Sequence, residues 1–275
     1  MITIRRATEA DCDSIVRYLE AEAIDNTYML GDIHIYGFDS EALDVWAAED
    51  ANEIIYGVIL RYYTAYLCYT KLEDGVIAKM QAFLLRQNPH IIVAKGSVAD
   101  ALMPGLEGYM RSDKILCALF STHKLKDATT QIIIAKPEDA PEIARQFSKI
   151  DEIKEYYDEV SLADNIATRI RSGEGEHLFI RLDGKIVAHG NSSGFAEKTT
   201  TAGVNGIFTL PEYRGCGYAS QIVSEISRRI YDSGKTPVIA YDNPDAGQIY
   251  RRLGYEDVGV LTAILPPDVH GRQKK

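Results

Sequence analysis

No stretch of 18 or more apolar residues occurs in the 275-residue chain, so no membrane-spanning helix is expected. Positive charge is also short: 30 Lys and Arg stand against 40 Asp and Glu, for a net charge of −10. The split is 12 basic against 19 acidic residues over 1–127 and 18 against 21 over 128–275. A nucleic-acid binder needs a basic face, which this balance does not supply. The balance is compatible with a cationic small-molecule acceptor. Cysteine is scarce. Cys12, Cys68, Cys117 and Cys216 are scattered without metal-ligand spacing, so no metal site is expected. Free thiols in a reducing cytoplasm are the simple reading. Met1-Ile2-Thr3-Ile4-Arg5-Arg6 begins as a strand and not as a signal peptide. Two common nucleotide loops are missing: no G-x-x-x-x-G-K-[ST], and no G-x-G-x-x-G opening an early βαβ unit. What is present, 46% apolar and 25% charged residues, describes a globular protein of one large domain or two ordinary ones.

The most informative stretch is 203–220, G-V-N-G-I-F-T-L-P-E-Y-R-G-C-G-Y-A-S. Val204 to Leu210 is rich in branched and aromatic residues and reads as a strand that Pro211 ends. A small, Gly-rich segment follows, Arg214-Gly215-Cys216-Gly217-Tyr218-Ala219. From Ala219 to Tyr231, Ile222, Val223, Ile226 and Ile230 recur at helical spacing. A strand, a tight glycine loop and a helix N-terminus together make an anion site, because loop N–H groups converge and the helix dipole adds positive charge. Taken alone, the same pattern also fits a turn that binds nothing. Downstream, Val238 to Tyr241 is a short strand. Asn243 or Asp242 can cap a helix with Pro244 in its first turn, and Gly254 suits its end.

Together these two segments resemble the GNAT superfamily of acyl-CoA-dependent N-acyltransferases. The carrying residues are Arg214-x-x-Gly217-x-Ala219, then Asn243, Tyr250 and Gly254-Tyr255. The resemblance covers about residues 130 to 265. It implies acetyl-CoA as donor, with coenzyme A as product. The loop amides from Arg214 through Gly215, Cys216, Gly217, Tyr218, Ala219 and Ser220 would hold the pyrophosphate. The edge at Ile207-Phe208-Thr209 would pair with the pantetheine amides where it splays from the strand at 237–241. A backbone N–H near Phe208 or Thr209 could polarise the thioester carbonyl. Asn243 could bond the pantetheine besides capping its helix. Cys216 stands where basic residues are more usual, and a thiol there is open to thiol reagents. Tyr250 is the catalytic residue implied: a phenol of pKa about 10 can protonate a leaving thiolate of pKa about 8.5. Arg214 either contacts a phosphate or packs over the loop and pairs with Glu212.

Taken in order, 1–6 reads as strand and 10–23 as helix, with a short helix fitting 28–37. Strands follow at 45–48, 54–63 and 65–69, then helix at 75–86, strand at 91–95, helix at 98–107 and strand at 114–120. Polar residues 121–130 mark a boundary. Ile132-x-Ile134, Pro137-Glu138-Asp139 and Ile143 then echo Ile2-x-Ile4, Thr8-Glu9-Ala10-Asp11 and Ile15. The expected fold is therefore α+β: two tandem GNAT-like domains, 1–127 and 128–275, each a mixed, mostly antiparallel sheet flanked by helices. In the first, the place of the glycine loop is taken by Lys71-Leu72-Glu73-Asp74, whose carboxylates would repel a pyrophosphate. That domain reads as degenerate, without CoA, and as one wall of the acceptor cleft.

The resemblance implies a primary amine as acceptor, on a small molecule or a peptide, with no nucleic-acid or membrane partner expected. An alkylamine of pKa about 10.4 costs roughly 4–5 kcal/mol to deprotonate at neutral pH, an α-amine only about 1. No base is identifiable. Glu159, Glu176 and His189 are candidates by region, and the acidic connector 151–159 either lines the acceptor entrance or is a solvated helix end. Alternatives are a CoA-binding sensor without turnover, a ligand-free structural module, and a transferase of longer acyl or aminoacyl groups.

Overall fold

The computed structural model describes residues 1–150, 158–194 and 198–267. They form two compact units: Met1–Leu116 with the segment from Asp257, and Cys117–Glu256. Both are α+β, with mixed, mostly antiparallel strands flanked by helices. Among the described residues no helix is long and apolar enough to cross a membrane. The acidic connector lies, except for its last two residues, outside the described residues.

In the first unit, β1 (Thr3–Arg6), β2 (Leu43–Glu49), β3 (Ile55–Tyr62) and β4 (Ala65–Thr70) pair antiparallel in sequence order, and β4 pairs parallel with β5 (Ile91–Lys95). Helices α1 (Cys12–Glu20) and α2 (Thr27–Tyr36) precede β2; α3 (Val76–Gln87) and α4 (Gly96–Leu102) bracket β5. Strand alternation explains two hydrophobic layers. Val45, Ala47, Val58 and Leu60 face Ile15, Leu19, Leu30 and Ile33 of α1 and α2. Ala48, Ile59, Cys68 and Ile92 face Met80, Leu84, Val98 and Leu102 of α3 and α4. The helix expected to Glu107 ends sooner, as a 3-10 turn at Met103–Gly105, because Pro104 has no N–H to continue it. Strand β6 (Met110–Leu119) follows.

In the second unit, β7 (Ile132–Ile134), β8 (His177–Leu182), β9 (Lys185–Ser193) and β10 (Thr201–Thr209) pair antiparallel, and β10 starts parallel to β11 (Thr236–Tyr241). Helices α5 (Ala140–Phe147) and α6 (Glu159–Ser172) bury Ile143, Phe147 and Ile166 against Phe179, Ile186, Phe208 and Leu210. On α7 (Tyr218–Asp232), Ile222, Val223, Ile226 and Ile230 are all buried, each contributing about 1.5–3 kcal/mol. The helix α8 (Pro244–Arg252) links β11 to β12 (Tyr255–Leu265). That last strand pairs antiparallel with β5 from Leu261–Lys95 to Ile264–Ile92. The expected division near 121–130 assigns β12 to the second domain, whereas its residues from Asp257 pack with the first unit.

Candidate active site

Strand β10 is paired on both sides only at its start. Its pairs with β11 are Thr201–Thr236, Ala202–Pro237 and Gly203–Val238, and they stop there. Yet β10 runs on to Thr209 and β11 to Tyr241. The two strands part beyond Gly203, leaving Val204–Thr209 with an unzipped edge on the β11 side. The other edge carries a β-bulge. Asn205 faces Asn191 and Phe208 faces His189, so two residues, Gly206 and Ile207, oppose the single Gly190. Gly206 has φ +58, and a Cβ there would sit 2.4 Å from Asn191 Oδ1. The bulge bends β10 and adds twist where it leaves β11.

At the end of β10 the chain makes a 3-10 turn, Pro211–Tyr213, and enters the glycine loop. Arg214 to Gly217 are exposed. Arg214 Nε donates to the Thr209 carbonyl at 3.2 Å, and Glu212 accepts from Lys185 at 2.7 Å. Gly217, at φ +80, is the N-cap of α7 and offers no side chain to cap it. Gln221 N–H is the first to bond back, to the Gly217 carbonyl at 3.1 Å. The N–H groups of Tyr218, Ala219 and Ser220 have no acceptor among the described residues. A Cβ built on Gly215 or Gly217 meets nothing within 4 Å. The loop is thus a bare backbone cradle at the positive end of a 15-residue helix.

Because β10 and β11 start parallel, the loop after one and the helix after the other lie at the same end of the sheet. Asn243 caps α8, its Oδ1 accepting from Asp245 N at 2.9 Å. Tyr250 is 6% exposed and packs edge-on to Tyr241 at 5.6 Å. Burial pushes its phenol pKa up, with the Cys117 thiol and Asp242 adding to the effect. The phenol therefore stays protonated at neutral pH. Tyr255, next to it, bonds Ser227 Oγ at 2.7 Å.

The three regional base candidates are already engaged. Glu159 is exposed at the start of α6, 3.7 Å from Arg145. Glu176 pairs with Arg229 at 3.3 Å. His189 is fully buried, and both ring nitrogens are hydrogen-bonded: Nδ1 to the Gly206 carbonyl at 2.8 Å and Nε2 to His177 Nδ1 at 3.0 Å. Burial pushes His189 down to about 4 and His177 to about 2, so neither carries charge at neutral pH.

Residues 140–255 match the family model of the Acetyltransferase (GNAT) family. Similar solved structures span nearly the whole chain. A Drosophila protein superposes with a TM-score of 0.72 at 14% identity, covering 98% of this chain and 100% of its own. A tandem GNAT protein from the clavulanic acid biosynthesis pathway gives 0.63 at 12%, covering 96% and 98%. A GNAT-family acetyltransferase from Colwellia psychrerythraea gives 0.61 at 13%, covering 96% and 99%. No curated protein matches the sequence. The fold is that of the GNAT acetyltransferases.

Within this GNAT fold, Ile207, Phe208 and Thr209 stand on the arm of β10 beyond its last β11 pair, and residues 214–220 form the loop and first turn at its end. Asn243 and Tyr250 stand on the helix after β11. The four cysteines form no disulfide, and Cys216 is the exposed one. The bulge at Gly206 and the His177–His189 pair are additions that sequence reasoning missed. A glycine inside a strand is a bulge signal, and Gly206 carries it.

Proposed function

We propose that the second unit is an acyl-CoA-dependent N-acetyltransferase that moves an acetyl group from acetyl-CoA to a primary amine by direct attack. One observation supports this above the rest: β10 parts from β11 at the end where α7 presents unpaired N–H groups behind two glycines. A pantetheine arm is a chain of amides and fits an unzipped strand edge, and a pyrophosphate fits a bare helix N-terminus.

As donor substrate, acetyl-CoA supplies a thioester whose carbonyl carbon accepts the amine nitrogen and whose sulfur leaves as thiolate. The chain's own groups orient and protonate. Amides of 215–220 hold the phosphates, and Arg214 bridges the loop back to Thr209. The edge at Ile207–Thr209 aligns the pantetheine. Tyr250, kept protonated by burial, gives its proton to the sulfur as the C–S bond breaks. His189, buried with both ring nitrogens bonded, does not serve as base, and Glu159 and Glu176 stand in ion pairs with Arg145 and Arg229. No general base is assigned, and an acceptor of low amine pKa needs the least help in losing its proton.

The first unit is proposed as a degenerate copy that binds no CoA. Calorimetry of the whole chain with acetyl-CoA alone tests both statements. One site per chain is expected. Two sites refute the degenerate copy, and none refutes the acyl-CoA reading. An amine panel read by thiol release then identifies the acceptor class.

A further inference from the structure

Residues 121–130 form no strand or helix of their own, yet they are fastened along α7 like a strap. Lys126 N–H donates to Ser224 Oγ at 2.9 Å. Thr129 N–H and Thr130 N–H both donate to Gln221 Oε1, at 2.8 and 3.0 Å, and the Thr129 hydroxyl donates to the same oxygen at 3.3 Å. Further along the helix, Arg228 reaches the Lys126 carbonyl and the Asp127 carboxylate. Gln221, Ser224 and Arg228 stand three and four residues apart, so they make one polar stripe. Ile222, Val223, Ile226 and Ile230 make the buried apolar one. Gln221 is 7% exposed and Ser224 is fully buried. Polar groups so buried are costly unless they are bonded, and the strap supplies their partners.

The strongest grip falls where α7 is weakest. The first N–H groups of a helix are ordinarily met by a capping side chain. Gly217 supplies none, and exposed glycines lead into it, so nothing at the N-terminus itself resists fraying. A cap would occupy the amides that a pyrophosphate needs. Gln221 is the residue whose N–H closes the first turn, onto the Gly217 carbonyl at 3.1 Å. Its side chain is the one that takes three hydrogens from the strap. The turn is thus held from outside, and the N–H groups of Tyr218, Ala219 and Ser220 are left without an acceptor among the described residues. Helix α3, which also starts on an uncapped left-handed glycine, has exposed Lys79 four residues past its N-cap, where α7 has buried Gln221.

We propose that Gln221, gripped by Thr129 and Thr130, is a positioning residue for the donor: it keeps the uncapped first turn of α7 wound, with its amides ready for a pyrophosphate. Docking of the strap and binding of the donor then strengthen each other, because linkage between two binding events is reciprocal. The inference rests on the acyl-CoA reading of this site.

Hydrogen exchange of the whole chain, read by mass spectrometry with and without acetyl-CoA, tests the reciprocal effect in the native protein. Bound acetyl-CoA should slow exchange over 125–130 about tenfold, and by more than it slows exchange in α5. Gln221→Met keeps the length of the side chain and removes the acceptor oxygen. Its acetyl-CoA affinity by calorimetry should fall about tenfold. Ile230→Val, near the far end of the same helix, should lower stability to urea and leave that affinity unchanged. Unchanged strap exchange in a bound native complex, native affinity in Gln221→Met, or an equal loss of affinity in Ile230→Val overturns the proposal and leaves the acyl-CoA reading standing. Native protein that binds no acetyl-CoA overturns both. Should Gln221→Met fail to fold, the exchange measurement on the native chain decides alone.

Discussion

The loops that precede α3 and α7 are built on the same plan, and they differ in what surrounds their backbone amides. Each begins at the end of a strand, and each helix has a left-handed glycine as its N-cap, Gly75 at φ +78 and Gly217 at φ +80. Neither helix has a side-chain cap. Before α3, however, Lys71 N–H is taken by the Tyr18 hydroxyl, Leu72 N–H by Thr70 Oγ1, and Val76 N–H by the Glu73 carbonyl. Asp50 and Asp74 line the cleft at that helix start. The strands differ too. β4 and β5 stay paired to Cys68–Ala94, near their ends, and the β3–β4 register has no bulge. Seven residues past the N-cap, α8 has Tyr250, where α4, capped by Lys95, has Leu102. With two loop amides and one first-turn amide engaged, β4 and β5 paired to near their ends, and Leu102 where α8 has Tyr250, the first unit is proposed not to hold or cleave a thioester.

The largest test of that contrast is Tyr250→Phe. Turnover should fall on the order of 10²-fold or more with acetyl-CoA affinity kept, measured by steady-state kinetics and calorimetry. Full turnover in the variant would erase the catalytic distinction between the units. Next come the two cap glycines as a matched pair. Gly217→Ala and Gly75→Ala place a Cβ in the same left-handed conformation, with no neighbour within 4 Å at either position. Each should lose about 1–2 kcal/mol of stability by urea unfolding. Only Gly217→Ala should weaken acetyl-CoA, by about tenfold. Equal loss of binding from both would break the comparison.

Acid should separate the units as well. The buried imidazoles of the second unit have folded pKa values below the unfolded 6.5. Their stabilising effect is complete above pH 6.5 and is lost as pH falls toward about 4, because only the unfolded state binds those protons. In the first unit, the hydrogen bond from Arg5 holds the Asp11 carboxyl well below the usual carboxylate range. Its contribution persists until the pH drops below the unfolded carboxylate value of about 3.9. Hydrogen exchange at stepped pH should therefore show protection fading first in β8 and β9. The smallest effect expected is chemical: alkylating exposed Cys216 slows the enzyme partially, and bound CoA protects it. Full activity after complete modification would detach the loop from the site.

Local chemistry made part of this legible in the sequence. The apolar spacing of Ile222, Val223, Ile226 and Ile230 specifies one buried stripe, and α7 forms there. Asn243 followed by Pro244 is a favoured cap and first-turn pair, and it caps α8. Pairing across the sheet was less accessible. The His177–His189 contact depends on the register of β8 against β9, and the bulge that gives His189 its acceptor changes the register of β9 against β10 by one residue. No spacing along the chain encodes either. The placement of β12 beside β5 is of the same kind: nothing in 255–265 names a partner strand so far back.

That placement carries a consequence for how the chain is made. Strand β5 waits on the C-terminal strand for its antiparallel neighbour, and Lys95 meets Leu261 only after roughly 170 further residues have been added, some 8–30 s at ordinary translation rates. Until then one edge of β5 stands open as the ribosome works, with unpaired N–H and C=O groups that invite wrong pairing.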